Sequence, residues 1–436
     1  MWIFFILIWF IAFYRYLRKN TERIYSPIVW LLIGWFFSWG LYLFSGISYH
    51  YKLSFLAGAY YWGVCIAVVI GFRTSQRWRI VIGTRQKIRL ILKLDTLTMD
   101  SYRLYCGIVI LGSILVVFDI MRLNTVSFNL HSDLNISGIG NIGILMSGLG
   151  LILWLYECVY AIKNNVRFRL VSIICAIGYL IPALITSGRQ SILIMAVSSF
   201  VVLFYCFSKW PHYKHKAYIY VPIALAVFGL FVYTTIISAS RTAVSNKIDL
   251  FNFMYKSSVS EETINLLEKM GPFRTIIMEI LFYYSHELSM FEILFSNYDG
   301  PLFWGMSQLP LLARNIPVGN GKTIWDVLWT YYDGISNDAD VYSHVWRSAA
   351  GNCLVDFGVV GGLIFAFIIG YIVGAFYKRS RLNDSVYSTV GLALICAGML
   401  FAVQFSPICE NYWLYPMIWW IFLPFAEKLF RREKRK

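Results

Sequence analysis

A chain of 436 residues that is 58% hydrophobic, 18% aromatic and only 14% charged lies outside the composition of soluble globular domains. Its mean hydropathy of +0.62 points the same way. The formal net charge of +15 would suit a nucleic-acid partner, but its placement along the chain excludes that reading and signals membrane topology instead.

Apolar runs near the length that crosses a bilayer recur from end to end, so an all-α polytopic membrane protein of about eleven spans is expected. The spans are placed at 2–17, 27–47, 53–72, 104–120, 139–162, 168–186, 190–208, 217–237, 352–377, 386–408 and 412–430. The first is an anchor and not a signal peptide, because Arg15, Arg18 and Lys19 follow its apolar core and no A-x-A site is visible. The basic, partly amphipathic stretch 73–103 is expected to lie as a helix on the inner surface. The chain then reads as one integrated domain: spans 1–8 in 1–237, a large extracytoplasmic loop at 238–351, and spans 9–11 with a basic tail in 352–436. The large loop is aromatic ("LFYYSHELSMFEILF", "TIWDVLWTYYDG") and has amphipathic runs, which predicts short helices on the outer membrane face.

The basic residues orient this arrangement. Segments following the odd-numbered spans hold 27 of the 38 Lys and Arg, leaving 11 for the other side, although that side has many more loop residues. The positive-inside rule therefore places the N-terminus outside and the C-terminus in the cytoplasm. Six of the eight cysteines fall inside spans, and only Cys353 and Cys409 lie near the outer face, so no disulfide framework is expected.

Several residues in this pattern carry chemistry. Arg189, in "ITSGRQSIL", sits at the outer mouth of spans 6 and 7, and Arg241, in "IISASRTAV", leaves span 8 at the same face. Each reads either as a snorkelling anchor or as half of a site for an anionic lipid head group, which a guanidinium fork binds bidentately. "DVYSHVWRSAAGNCLVDFGVVGG" carries His344 and Arg347 towards span 9, where Asp356 precedes a glycine-rich face that lets another helix or a lipid tail approach closely. A carboxylate there is either a dipole-stabilised helix-start residue or part of a site. His286 and Glu287, in "YYSHELSMFE", form a His/carboxylate pair of the kind that activates a hydroxyl, or simply a polar surface face. Asp338 and Asp340 make a D-x-D in "NDADVY", a spacing common by chance, and no metal site is assigned; no cofactor is expected either. "IPVGNGKT" at 316–323 lacks the spacing of a phosphate loop.

Taken in order and on one side, "TSGRQSIL", "SASRT" before a large outer loop, and "GNCLVDFGVVGG" resemble the Wzy-type oligosaccharide repeat-unit polymerases of O-antigen and capsule synthesis. The resemblance covers nearly the whole chain. It implies a GT-C-like membrane fold in the bacterial cytoplasmic membrane, undecaprenyl-pyrophosphate-linked oligosaccharides as donor and acceptor, and no metal requirement. A chain-length regulator and a flippase are the further partners it implies. Under this expectation Arg189, Arg241 and Arg347 bind substrate, while His344, the His286–Glu287 pair or Asp356 takes the acceptor's proton. An O-antigen ligase-type transferase and a lipid-linked oligosaccharide flippase are the alternatives.

Overall fold

The computed structural model describes residues 25–77, 97, 99–123, 137–185, 190–214, 244–342, 348–383 and 385–433, together with 10, 11, 14, 15 and 18. Among the described residues the protein is almost entirely helical, and six helices are long and apolar enough to cross a membrane. The chain is an all-α membrane protein. The expected span 217–237 and most of 2–17 lie outside the described residues, as does most of the inner-surface helix expected within 73–103. Each of the other nine expected spans coincides with a helix. The chain divides into two compact units.

The first unit contains residues 1–78, 231–375 and 399–409. Its helix α1 (Pro27–Phe44) starts at a proline, which is pre-set for the first helical turn, and α2 is Phe55–Arg77. Between them β1 (Ile47–Tyr49) pairs antiparallel with β2 (Ser257–Val259), which follows α7 (Val244–Tyr255; α3 to α6 belong to the second unit). That pairing fixes the start of the long segment to the α1–α2 connection. Helix α8 (Glu261–Lys269) is capped by the Ser260 side chain, carries Glu261 and Glu262 in its first turn, and holds the same connection through Thr263 Oγ1 to Ser45 O at 3.0 Å.

The long segment does not consist only of short surface helices. Helix α9 (Arg274–Asn297) packs along α1 and α2, with Phe37 against Tyr284 and Phe291 against Tyr61 at ring-centroid distances of 4.9 and 5.0 Å. Its apolar residues cover more than one stripe, and this second face is what carries it onto the spans instead of leaving it at the surface. After it come α10 (Pro310–Ala313), a hairpin of β3 (Pro317–Gly319) and β4 (Lys322–Thr323), and α11 (Ile324–Ala339). The hairpin turn is Asn320-Gly321, both with positive φ, as a two-residue turn of the primed type requires. Thr323 and Asp326 then form a capping box that starts α11.

Helix α12 (Ala349–Asn383) is broken at Gly358, whose φ of 68° and ψ of −172° suit glycine alone. Beyond the break, side chains at Gly370 and Gly374 would collide with α2 at Val68, Phe72 and Ser75, so the expected close helix approach on this glycine face is made by α2.

The second unit contains residues 79–230, 376–398 and 410–436. Helices α3 (Met99–Leu123) and α4 (Gly138–Asn164) meet where Gly112 and Gly143 face each other's backbone. Helices α5 (Val171–Ile185), α6 (Gln190–Lys209) and α14 (Asn411–Glu433) complete it, with most of α13 (Val386–Phe401). On α14, Trp413 and Trp420 donate to Leu394 O and Tyr387 O of α13 at 2.8 and 3.0 Å, and Trp419 donates to Leu145 O of α4 at 2.6 Å. These indoles bury a large apolar area while their N–H groups stay paired.

Candidate functional site

Two polar clusters lie within the first unit, and each contains a carboxylate expected from the sequence. Asp356 is fully buried, one residue pair before the break in α12. Its Oδ1 accepts from Ser307 N at 2.9 Å and its Oδ2 from Ser307 Oγ at 2.7 Å. The break frees backbone carbonyls, and the same chain segment uses them: Phe303 N donates to Val355 O at 3.3 Å and Trp304 N to Asp356 O at 2.9 Å. Residues 303–307 are thereby strapped across the broken turn. Behind the strap, Cys409 Sγ donates to Ser307 O, Asn352 donates to Cys409 Sγ, and Ser406 Oγ donates to Gln308. Cys353 and Cys409 are both buried and form no disulfide. In this geometry the Asp356 carboxylate organises a loop, and both of its oxygens are occupied.

The second cluster is built on α9. His286 Nδ1 lies 2.7 Å from Phe282 O, so Nδ1 carries the proton and Nε2 presents its lone pair. Nε2 is 3.5 Å from Glu287 Oε1. The Tyr255 ring stacks on the imidazole with centroids 4.2 Å apart, and Tyr49 donates to Ser285 Oγ at 2.5 Å, whose own hydrogen goes to Leu281 O. Burial pushes the Glu287 carboxyl well above its ordinary value of 4.5 and pulls His286 down to about 4. Burial thus disfavours the charged form of both partners. His286 is 2% exposed and Glu287 7% exposed, so a substrate hydroxyl reaches neither in this conformation.

The sequence-derived residues that are described fall in these two separate clusters. Asp356, His286 and Glu287 belong to one unit, whereas Arg189, Arg241, His344 and Arg347 lie outside the described residues. Of the D-x-D pair, Asp340 closes α11 with a left-handed backbone and bonds to Lys256, while Asp338 is exposed. Among the described residues no three His, Cys, Asp or Glu side chains converge. "IPVGNGKT" is the β3–β4 hairpin.

Two fully buried carboxylates of the second unit escaped the sequence reading, Glu157 and Glu427. Glu157 Oε1 accepts from Arg169 N at 2.9 Å, and the Arg169 guanidinium lies over the Tyr102 and Tyr160 rings at 5.1 and 5.3 Å. The signal was a lone acid inside an apolar run, "LWLYECVYAI" for the first and "FLPFAEKLF" for the second.

Compared with protein-family models, with curated proteins and with solved structures, the chain finds no match.

Proposed function

We propose that the protein is a membrane glycosyltransferase that polymerises undecaprenyl-pyrophosphate-linked oligosaccharide repeat units at the outer face of the bacterial cytoplasmic membrane. One observation carries most of the weight. In the first unit, segments that the charge pattern assigns to one side converge at one end: the α1–α2 connection, the aromatic segment 244–342, and the broken start of α12. A large, ordered aromatic assembly beside a broken span suits a reaction between two lipid-anchored sugars, because it supplies stacking surface and excludes water that would hydrolyse the donor.

In this reading Arg189, Arg241 and Arg347 neutralise the donor's pyrophosphate. Their contacts strengthen as charge builds on the leaving group, so they favour the transition state over the ground state. A hydroxyl of the second lipid-linked unit attacks the anomeric carbon, the bond from that carbon to the pyrophosphate oxygen breaks, and undecaprenyl pyrophosphate leaves. The hydroxyl proton passes to His344. Asp356 acts as a positioning residue through the 303–307 strap, since Ser307 already occupies both of its oxygens. The His286–Glu287 pair anchors α9 under the same assembly. A chain-length regulator and a flippase complete the expected set of partners.

The test is direct. Purified protein given lipid-linked repeat units should yield a ladder of products differing by one repeat. Single transfer to a different acceptor would instead mark a ligase, and transbilayer movement without new bonds a flippase.

A further inference from the structure

The break in α12 is joined to an unusual surface feature. Trp304 has a left-handed backbone (φ 51°), rare for a bulky residue, and its side chain is 73% exposed. Such strain persists only where surrounding bonds enforce it, and here the Trp304 N–H is held by Asp356 O at 2.9 Å. Leu302, 42% exposed, stands beside Gly358. From there an exposed row of Val360, Ile364, Ile368 and Ile372 continues along α12 at four-residue spacing. A row of exposed isoleucines on a span is its lipid-facing side, and Leu302 and Trp304 extend that side past the break.

The length of the row sets the depth. From Val359 to Tyr377, at 1.5 Å per residue, α12 covers about 28 Å, close to the ~30 Å of hydrocarbon in a bilayer. Lys378, Arg379 and Arg381 follow at one end, where cations belong outside the hydrocarbon. Trp304 stands at the other end, and an indole favours the polar–apolar boundary because its ring is apolar and its N–H is a donor.

We infer that the Leu302–Trp304 loop is seated in the bilayer at the boundary between hydrocarbon and head groups, so that the break at Gly358 and the Asp356–Ser307 clamp lie at head-group depth. The occupant of this apolar surface is phospholipid. The inference stands independently of the sugar chemistry.

Depth measurement by spin labelling tests it. The eight native cysteines are buried, so a thiol-reactive nitroxide reports on cysteines introduced singly at Trp304, Leu302, Ile368 and Asn320 in the full-length protein. In phosphatidylcholine–phosphatidylglycerol vesicles, collision rates with oxygen and with a neutral nickel chelate give the depth of each label. The labels of Trp304→Cys and Leu302→Cys should lie at phosphate-to-carbonyl depth, that of Ile368→Cys deep in hydrocarbon, and that of Asn320→Cys in water. Leu302→Cys serves as the second probe if the strained Trp304 position tolerates no replacement. The inference is overturned if both loop labels are as open to the nickel chelate as Asn320→Cys, or as oxygen-rich as Ile368→Cys. Shielding from both collision partners would equally overturn it, because protein or glycan would then cover the loop.

Discussion

Asp356 and Glu287 are carboxylates in apolar surroundings, yet their neighbours predict different responses to amidation. Asparagine at 356 keeps an oxygen for the Ser307 N–H and offers an N–H to Ser307 Oγ, so Asp356→Asn should extend chains within about tenfold of the parent, a loss worth about one hydrogen bond. Asp356→Ala leaves the Ser307 N–H buried without its acceptor, a cost of about 1–3 kcal/mol that should appear as a lower melting temperature. A fall of about 10²–10⁴-fold for Asp356→Asn in a fully folded protein would instead make this carboxylate a proton-transfer group.

Glu287 and His286 make the prediction in pH. The Glu287 carboxyl is raised on folding, so its stabilisation is present below the ordinary value of 4.5 and is lost as pH rises towards the folded value. His286 is depressed to about 4, so its stabilisation is present above the ordinary value of 6.5 and is lost as pH falls. Between 4.5 and 6.5 the two slopes oppose each other. Above 6.5 only the Glu287 slope remains. Melting of wild type and Glu287→Gln from pH 5 to 9 should therefore show wild type losing ground to the variant from the acid end upward, because below 6.5 the variant keeps the His286 gain that Glu287 offsets in wild type, and above 6.5 only wild type falls. Parallel curves across that range would mean that Glu287 ionises in the folded protein.

Among the elements, α12 joins two glycine requirements of different kinds. Gly358 needs its backbone conformation, and Gly358→Ala should cost about 1–3 kcal/mol by forcing an alanine into a glycine-only region. Gly374 needs space, and Gly374→Leu drives a side chain into Phe72 and Ser75 of α2, an overpacking cost of about 1–3 kcal/mol or more. Both variants should melt lower in detergent. Only Gly358→Ala should also loosen the 303–307 strap, which limited proteolysis or hydrogen exchange of that segment would reveal.

Legibility from the sequence follows the range of the interactions. The glycine face of α12, the spans and the Asn320-Gly321 turn are local patterns, readable from period or from a dipeptide. The turn lies inside "IPVGNGKT", whose Asn-Gly dipeptide is a hairpin signal although the stretch superficially resembles a phosphate loop. What was not readable is long-range. The β1–β2 pairing, the seating of Tyr284 on Ser38 and the grip of Ser307 on Asp356 join residues distant in the chain, and no periodicity encodes them. His286 and Glu287 are adjacent in the sequence, but their burial comes from α9 packing on the spans, which amphipathic periodicity does not encode.

For the whole molecule, the account depends first on sidedness. The split of 27 basic residues against 11 predicts that 238–351 faces outward and the basic tail inward. In intact cells an impermeant thiol reagent should label Asn320→Cys and leave Lys434→Cys unmodified until the membrane is opened. The reverse pattern would place the aromatic assembly in the cytoplasm, away from any outward-facing lipid-linked sugar.

The central claim is bond formation between lipid-linked repeat units, dependent on the two outer arginines. The most direct measurement is electrophoresis of products made by purified wild type, Arg189→Ala, Arg241→Ala and the corresponding lysine variants from undecaprenyl-pyrophosphate-linked oligosaccharide. The account predicts a ladder for wild type, none for either alanine variant, and partial ladders for the lysine variants, which keep the charge and lose the bidentate fork. A wild-type preparation that makes no ladder, or alanine variants that extend chains at the wild-type rate, would contradict it.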